Sequence, residues 1–364
     1  MKNQKKRIAV LFGGRSAEHE VSLTSAVAVL ANLDREKYDI LPVRISREGR
    51  WILIEDSGIL SSVPGMENAE GPAVMAGDPT LGGFLRVGDG SVIPVDAVFP
   101  VLHGPFGEDG TVQGLLALSG LACVGAGVLG SALGMDKVLM KQMFIQNDLP
   151  TPDFIWFTRS AWEKESDAIL RGVRSEIGFP CFVKPANLGS SVGITQVKSE
   201  EALGAAVETA GRYDRKVLVE KAVGARELEC AVLGNDRPEA SVVGEIIPSN
   251  EFYDYAAKYV DDASEIVIPA DIPSDVADRA RLWSVMAFKA LDCAGMARVD
   301  FLYERGSGHL FVNEINTIPG FTPISMYPKL WETSGLPYSR LLDRLIELAM
   351  ERHRETESTV FQKQ

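Results

Sequence analysis

Four polar side chains near the C-terminal end of the chain stand at period-two spacing: Arg298 and Asp300 in ARVDF, Glu314 and Asn316 in NEIN. On the two strands of a hairpin, that spacing puts each pair on one face. Two carboxylates and an amide oxygen at neighbouring strand ends are the hard oxygen donors that Mg2+ takes, with nucleotide phosphates completing its shell. A solvated acidic face is the plainer alternative. Against it, Val299, Phe301, Phe311, Val312 and Ile315 make the hairpin too apolar to be mere surface. For every ligand to face one side, the turn must hold an odd number of residues or one strand must carry a bulge.

A second constellation is KPANLGSSVG, residues 184–193, which follows an apolar run. Its Gly and Ser residues let backbone N–H groups wrap an anion while Lys184 supplies charge. It is not a Walker A loop, where the Lys follows the glycines. An ordinary hairpin turn is the competing reading. Further towards the N-terminus, His103 closes the apolar run from Ala97 to Leu102 and opens the loop GPFGEDG, and Glu18 follows the run Ile8 to Phe12. If both runs are strands of one sheet, the two residues sit at the edge where α/β proteins bind ligands, although a His that merely caps a strand is equally ordinary. Gly125, Gly127 and Gly130 fit GxGxxG, but the acidic residue the dinucleotide fingerprint needs about 20 positions on would be Asp148, at a helix end before Leu-Pro-Thr-Pro. These glycines read instead as a tight turn and a helix start.

The elements that must position these residues are legible in outline. The first third alternates buried strands with helical stretches, the first helix running from about 18 to 33, as a Rossmann-like parallel layer does. Residues 55–95, rich in Gly, Pro and Ser, suggest an irregular insertion or a hairpin. The two prolines at 150 and 152 break the preceding helix and start a new unit. That unit holds strand 154–157, a polar helix over 161–176, strands flanking the 187–193 loop, a helix over 199–210 and strand 216–221. A long helix over 274–292, the hairpin at 297–315 and a closing helix over 338–352 complete the chain.

Composition excludes several classes. With 364 residues, 46% of them hydrophobic, the chain buries large cores, and a net charge of −13 argues against a nucleic-acid partner. No run approaches the roughly 20 apolar residues of a membrane helix, and the apolar run after MKNQKKR is too short for a signal peptide. Cys123, Cys181, Cys230 and Cys293 lie far apart without metal or redox spacing, so they read as buried thiols of a reducing cytosol.

Together these segments resemble the ATP-grasp superfamily and, within it, the D-alanine–D-alanine ligases. The motifs are GGRSAEHEVS at 13–22, LHGPFGEDGTVQG at 102–114, GMDK at 134–137, KPANLGSSVG at 184–193 and EKAV at 220–223, followed by YDYAAKY at 253–259, ARVDF at 297–301 and NEINTIPGFTPISMYP at 313–328. The resemblance implies a three-domain α/β chain divided into a Rossmann-like substrate domain over 1–132, a central ATP-grasp domain over 133–218 and a catalytic ATP-grasp domain over 219–364. It implies ATP as co-substrate, two Mg2+ ions with Mn2+ as a substitute, D-alanine as substrate, and a cytoplasmic homodimer that touches neither membrane nor nucleic acid.

The same resemblance assigns roles to residues. Lys137 and Lys184 would hold the nucleotide phosphates with the Ser190-Ser191 loop, Glu220, Lys221 and Val223 would meet the adenine, and Glu227 the ribose. Asp300, Glu314 and Asn316 would bind the metal ions. Glu18 would take the ammonium of the first D-alanine with His103 nearby, and Arg298, Ser325 and Met326 would surround the second. Ser190, Tyr259 and Glu18 would form a hydrogen-bonded link, and Lys258 would reach the transferred phosphate from a closing loop at 249–262. Arg298 and the Gly320 N–H would face the tetrahedral oxyanion. Leu188 stands where some members are polar, so the resemblance assigns no side-chain role there. The same chemistry with D-lactate or D-serine as second substrate remains the nearest alternative; a nucleotide-binding regulator and a dehydrogenase are the more distant ones.

Overall fold

The computed structural model describes residues 5–54, 69–247 and 265–360. Lys258, Tyr259 and the expected closing loop at 249–262 lie outside the described residues.

The first layer comprises β1 (Lys6–Gly13), α1 (His19–Asn32), β2 (Tyr38–Ile45), β3 (Trp51–Ile54), β4 (Ala69–Met75), β5 (Gly83–Arg86), β6 (Val92–Pro94), β7 (Ala97–Val101), α2 (Thr111–Leu118), β8 (Ala122–Cys123) and α3 (Val128–Met135). Its eight strands run in the order β6-β5-β4-β3-β2-β1-β7-β8, with β2, β1, β7 and β8 parallel and the rest added antiparallel. Ile8, Val10 and Phe12 of β1 belong to one core cluster and Ala9 and Leu11 to another, and all five are fully buried. A strand covered on both faces reads as a continuous apolar run, which is why no alternation is visible there. The described part of residues 55–95 is neither irregular nor a lone hairpin. It is a three-stranded antiparallel extension of this sheet: Gly77, Pro79, Gly82, Gly88 and Gly90 lie in its connections and Pro94 on the edge strand β6, while Gly71, Pro72 and Gly83 stand within β4 and β5.

The second layer begins with α4 (Lys137–Gln146), whose N-terminus is capped by Asp136, accepting from the N–H groups of Val138 and Leu139 at 3.1 Å. A cap of this kind contributes about 1 kcal/mol. Then follow β9 (Phe154–Thr158), α5 (Arg159–Gly172), which ends in a π-helical turn over Val173–Ile177, β10 (Cys181–Pro185), β11 (Thr195–Val197), α6 (Leu203–Gly211) and β12 (Lys216–Lys221). The sheet order is β11-β10-β12-β9, antiparallel throughout, and α5 and α6 cover it around Val173, Val183, Leu203, Val207 and Val219. This sheet extends to Lys221, three residues past the boundary expected at 218.

The third layer holds β13 (Ala225–Gly234), β14 (Glu239–Ile247), β15 (Glu265–Val267), α7 (Ser274–Ala290), β16 (Gly295–Glu304), β17 (Leu310–Asn316), α8 (Met326–Thr333) and α9 (Tyr338–Glu357). Its antiparallel sheet has the order β15-β14-β13-β16-β17. On one side Met140 and Phe144 of α4 and Phe288 of α7 share a core with Val299 and Val312. On the other, Tyr327, Trp331, Leu341 and Leu345 of α8 and α9 join the same core as Ile8, Val10 and Phe99 of the first layer. The first and third layers are therefore packed through one continuous interior.

Candidate active site

β1 and β7 are adjacent and parallel, Phe12 lying beside Val101, so the loops that leave them emerge at one sheet edge. Ser16 stitches the two: its hydroxyl donates to the His103 carbonyl at 2.6 Å and accepts the Glu18 N–H at 3.2 Å. Glu18 is buried, and its carboxylate accepts the Ser190 hydroxyl from the loop between β10 and β11. Two glycines make room for it. A Cβ at Gly104 would stand 2.6 Å from Glu18 Oε2 and one at Gly189 2.9 Å from it. Ser190 and Ser191 have φ of 51° and 58°, left-handed values that cost a non-glycine residue about 1–2 kcal/mol each. Strain of this kind survives where the surroundings over-determine it, here where Ser190 is aimed at Glu18.

His103 is buried beside this edge. Its Nδ1 donates to the Ile318 carbonyl at 3.2 Å and lies 3.7 Å from Glu108 Oε1, and its Nε2 is 3.4 Å from the Ser25 hydroxyl. Burial pushes the imidazole pKa down, but Glu108 and Glu18 together outweigh burial and hold it above the ordinary value.

The loop at 187–193 also receives Lys137, the first residue of α4. Its ammonium donates to the Leu188 carbonyl at 2.9 Å and lies 3.4 Å from Glu314 Oε2 of β17. Lys184 on β10 and Glu220 on β12 are diagonal neighbours on adjacent strands, paired at 2.6 Å. The loop is further anchored by Asp214, which accepts from the Asn187 N–H and side-chain amide at 2.8 and 2.7 Å.

In the third layer, Arg298 lies opposite Asn316 and Asp300 opposite Glu314, and the register slips by one residue immediately afterwards, where Phe301 pairs with Val312. Asn313 is the extra residue of this β-bulge. Of the two alternatives that geometry allowed, an odd-numbered turn or a bulge, the bulge is present, and it sets the two pairs directly across from each other. Arg298 grips Asp300 with two hydrogen bonds of 2.7 Å, Asn316 donates to Asp300 at 3.1 Å, and Glu229 of β13 comes within 2.9 Å of the same guanidinium. Among the described residues no three His, Cys, Asp or Glu side chains gather into a metal cage. Asp300, Glu314 and the Asn316 amide instead match the Mg2+ habit of taking one or two carboxylates plus phosphate oxygens, and the cations Arg298 and Lys137 lie against these carboxylates.

The turn after β17 carries Gly320 and Ser325 in contact, since a Cβ on Gly320 would lie 2.7 Å from Ser325 Oγ, which accepts the Thr322 N–H at 3.0 Å. The side chain of Met326 is buried in the core, which leaves only its backbone to meet a ligand. Lys221 is exposed, with Asp153 at 4.0 Å, Val223 is half-buried in the link from β12 to β13, and Glu227 shares a face of β13 with Glu229. Gly125 takes φ of 98° in a turn, and a Cβ on Gly130 would strike the Asp292 carbonyl at 2.7 Å. These glycines serve the turn and the close packing of a helix start. The four cysteines are free; Cys123 is half-buried and the other three buried, and burial pushes Cys181 to about 11 and Cys123 and Cys293 to about 12.

Ser16, Glu108, Lys141 and Glu229 were not singled out by sequence. Only Lys141 left a trace there, a lysine on the buried stripe Val138, Lys141, Phe144 at three-residue spacing.

Comparison with known proteins identifies relatives over nearly the whole chain. The D-ala D-ala ligase N-terminus family matches residues 7–126, and the D-ala D-ala ligase C-terminus family matches residues 143–347. The chain is 54% identical over 357 residues to a D-alanine--D-alanine ligase of Thermoanaerobacter sp. (strain X514), covering 97% of this chain and 98% of that one. Among solved structures, the VanG D-Ala:D-Ser ligase from Enterococcus faecalis superposes with a TM-score of 0.86 at 40% identity, covering 95% of this chain and all of that one. The D-alanine-D-alanine ligase from Coxiella burnetii gives 0.85 at 40% identity, covering 97% and 96%.

Proposed function

The chain belongs to the D-alanine–D-alanine ligase family, with its ATP-grasp architecture, and from that premise we propose that it makes D-alanyl-D-alanine for peptidoglycan precursors. ATP is consumed to ADP and phosphate, and a D-alanyl phosphate is the intermediate. The observation that carries this reading is the single loop at 187–193. Glu18 of the first layer holds it through Ser190, and Lys137 ties it to Glu314 of the third, so the amino-acid, phosphate and metal ends form one chain of contacts.

In this reading Glu18 binds the ammonium of the first D-alanine, beside His103, and turns its carboxylate towards the γ-phosphate of ATP. Lys137 and Lys184 grip the phosphates with the Ser190-Ser191 loop. Glu220, Lys221 and Val223 meet the adenine, and Glu227 the ribose. Asp300, Glu314 and Asn316 hold two Mg2+ ions, which when bound neutralise the charge that repels an attacking carboxylate. The carboxylate oxygen attacks phosphorus and ADP leaves, with positioning as the main contribution of the protein. The amine of the second D-alanine, its carboxylate fixed by Ser325 and the Met326 backbone, then attacks the acyl carbon, and phosphate departs. Arg298 and the Gly320 N–H stabilise the oxyanion that forms between the two events. Lys258 at the transferred phosphate and Tyr259 in the link to Ser190 and Glu18 complete the set. A homodimer in the cytoplasm goes with the reading. Among the described residues, no helix is long and apolar enough to cross a membrane.

The second substrate is taken as D-alanine rather than D-serine because the relative at 54% identity is named for D-alanine, whereas the D-Ala:D-Ser ligase stands at 40%. Mass spectrometry of products from an equimolar mixture of D-alanine, D-lactate and D-serine with ATP and Mg2+ tests this at neutral pH. D-alanyl-D-alanine should dominate. L-alanine should be a very poor substrate, since it must turn a charged group away from a fixed anchor. A dominant depsipeptide or D-serine product would overturn the substrate assignment and leave the ligase class standing.

A further inference from the structure

Lys141 is a second lysine beside the phosphate region, and the mechanism above gives it no task. It sits one helical turn after Lys137 in α4 and is only 1% exposed. Burying an ammonium this deeply is costly unless its charge and all its hydrogens are satisfied. Here Glu220 Oε2 pairs the charge at 2.6 Å, and the ammonium donates to Thr151 Oγ1 and to the Asn313 carbonyl, each at 3.0 Å. Three oxygens match the three N–H groups of an ammonium, so Lys141 has no donor left for a ligand. Lys184 differs. Among the described residues its ammonium makes one hydrogen bond, to Glu220 Oε1 at 2.6 Å, which leaves two donors.

The three partners of Lys141 come from three places. Glu220 is on β12 of the second layer, Thr151 is in the link that breaks α4 from β9, and Asn313 is the bulged residue next to Glu314 in the third layer. We propose that Lys141 is a positioning residue for the phosphate clasp: it occupies one oxygen of Glu220 so that the other fixes Lys184, and it fastens the bulge beside Glu314 to the same point. The inference rests on the reading that Lys184 and Glu314 act on ATP and its metal ions. One carboxylate between two ammoniums leaves this trio with a net positive charge. Without Lys141 the pair Lys184–Glu220 is neutral, and Lys184 is free to turn both of its remaining donors onto the carboxylate. The nucleotide then loses a charged partner, not only a well-placed one. The carboxyl of Glu220, although buried, is held below the usual range by the two lysines, in keeping with a permanently ionised bridge.

The test uses the full chain and four variants: Lys141→Met, which keeps length and removes charge; Thr151→Val, which removes one anchor and keeps the cation; Glu220→Gln alone; and Lys141→Met with Glu220→Gln. Rates are measured against ATP at saturating D-alanine and against D-alanine at saturating ATP, below the Tm of each variant, and ADP affinity is measured by calorimetry. Lys141→Met should raise KM for ATP and Kd for ADP by about tenfold or more, with KM for D-alanine unchanged. Thr151→Val should move the same constants in the same direction by about two- to fivefold. The double variant should lose less than the product of the single losses, because removing the acid frees Lys184 again. A lysine that only supports the fold would lower Tm and leave the ATP and ADP constants of the folded protein untouched, and that result overturns the proposal. If Lys141→Met does not fold, unchanged ATP and ADP constants in Thr151→Val overturn it alone. A wild-type protein that makes no D-alanyl-D-alanine fails the functional reading instead, so the two failures are distinct.

Discussion

Gly189→Ala is a perturbation whose cost should fall almost entirely on substrate binding. An added Cβ would stand 2.9 Å from Glu18 Oε2 and 3.6 Å from Glu18 Cδ. Ordinary contact begins near 3.4 Å, so the carboxylate must withdraw by about 0.5 Å. It cannot do so freely, because its other oxygen holds Ser190 and the space beside the same Oε2 at Gly104 is so narrow that a Cβ there would come within 2.6 Å. Gly189 itself is not in the left-handed region, so the alanine brings no backbone strain and should even stabilise by about 0.4–1 kcal/mol through the unfolded chain. A misplacement of about 1 Å can cost about 100-fold, so half of that should cost about tenfold, or ~1.4 kcal/mol. The expected result is a tenfold rise in the D-alanine concentration needed for half-maximal ADP release, an ATP dependence changed by less than about twofold, and a Tm equal to or above the parent. The assay is initial-rate ADP release over a D-alanine titration, beside a thermal melt. A folded variant with unchanged D-alanine dependence would refute the assignment of Glu18 to the first ammonium.

Glu314→Gln keeps size and loses a metal-facing charge, so turnover should fall by at least about 100-fold while the circular dichroism spectrum stays that of the parent; near-normal phosphate release would remove Glu314 from the metal set. Lys184→Ala deletes a charge-assisted phosphate contact worth about 1.5–3 kcal/mol and should weaken ATP binding and the chemical step together, read from an ATP titration that would be unaltered if the loop were only structural. Glu220→Gln leaves the buried Lys141 and the half-buried Lys184 without their shared acid and should cost about 3–5 kcal/mol at neutral pH. Burial raises the Glu220 pKa, but Lys141 and Lys184 outweigh it and bring it below the ordinary 4.5, so the stability it confers is complete above that value and is lost as pH falls through the lowered one. Urea denaturation of parent and variant should therefore differ most above about pH 4.5 and converge in stronger acid; a constant difference down to low pH would contradict the pairing.

What was legible in the sequence follows from what each pattern encodes. Period two and apolar neighbours placed Arg298, Asp300, Glu314 and Asn316 on an apolar hairpin and required either an odd-numbered turn or a bulge, of which Asn313 supplies the second, since register arithmetic is a purely local matter. Leu-Pro-Thr-Pro marked the break after α4, and Asp148, with φ of 56°, does sit in the left-handed turn that ends a helix and not at a strand tip. The 55–95 segment was harder, because glycines and prolines signal connections but not the short strands between them. Contacts between layers were not written in any window. That Lys141 meets Asn313, 172 positions away, or that Glu229 shares Arg298 with Asp300, depends on sheets packing together. The resemblance set Met326 beside the second substrate; the first turn of α8 directs its side chain inward, onto the core beneath β14, where Gly244 makes room for its methyl.

The interior shared by the first and third layers has a consequence for how the chain is made. The face of the N-terminal sheet bearing Ile8, Val10 and Phe99 is finished by Tyr327, Trp331 and Leu345. A ribosome adding about 5–20 residues per second takes roughly 10–40 s to travel from the end of α3 to the start of α8. For that interval the emerging N-terminal sheet carries a partly uncovered apolar face, and the chain must stay soluble before its last helices exist. Slowing translation between these points, or removing α9, should therefore leave full-length secondary structure in the first layer yet drive it towards holdase chaperones and aggregates.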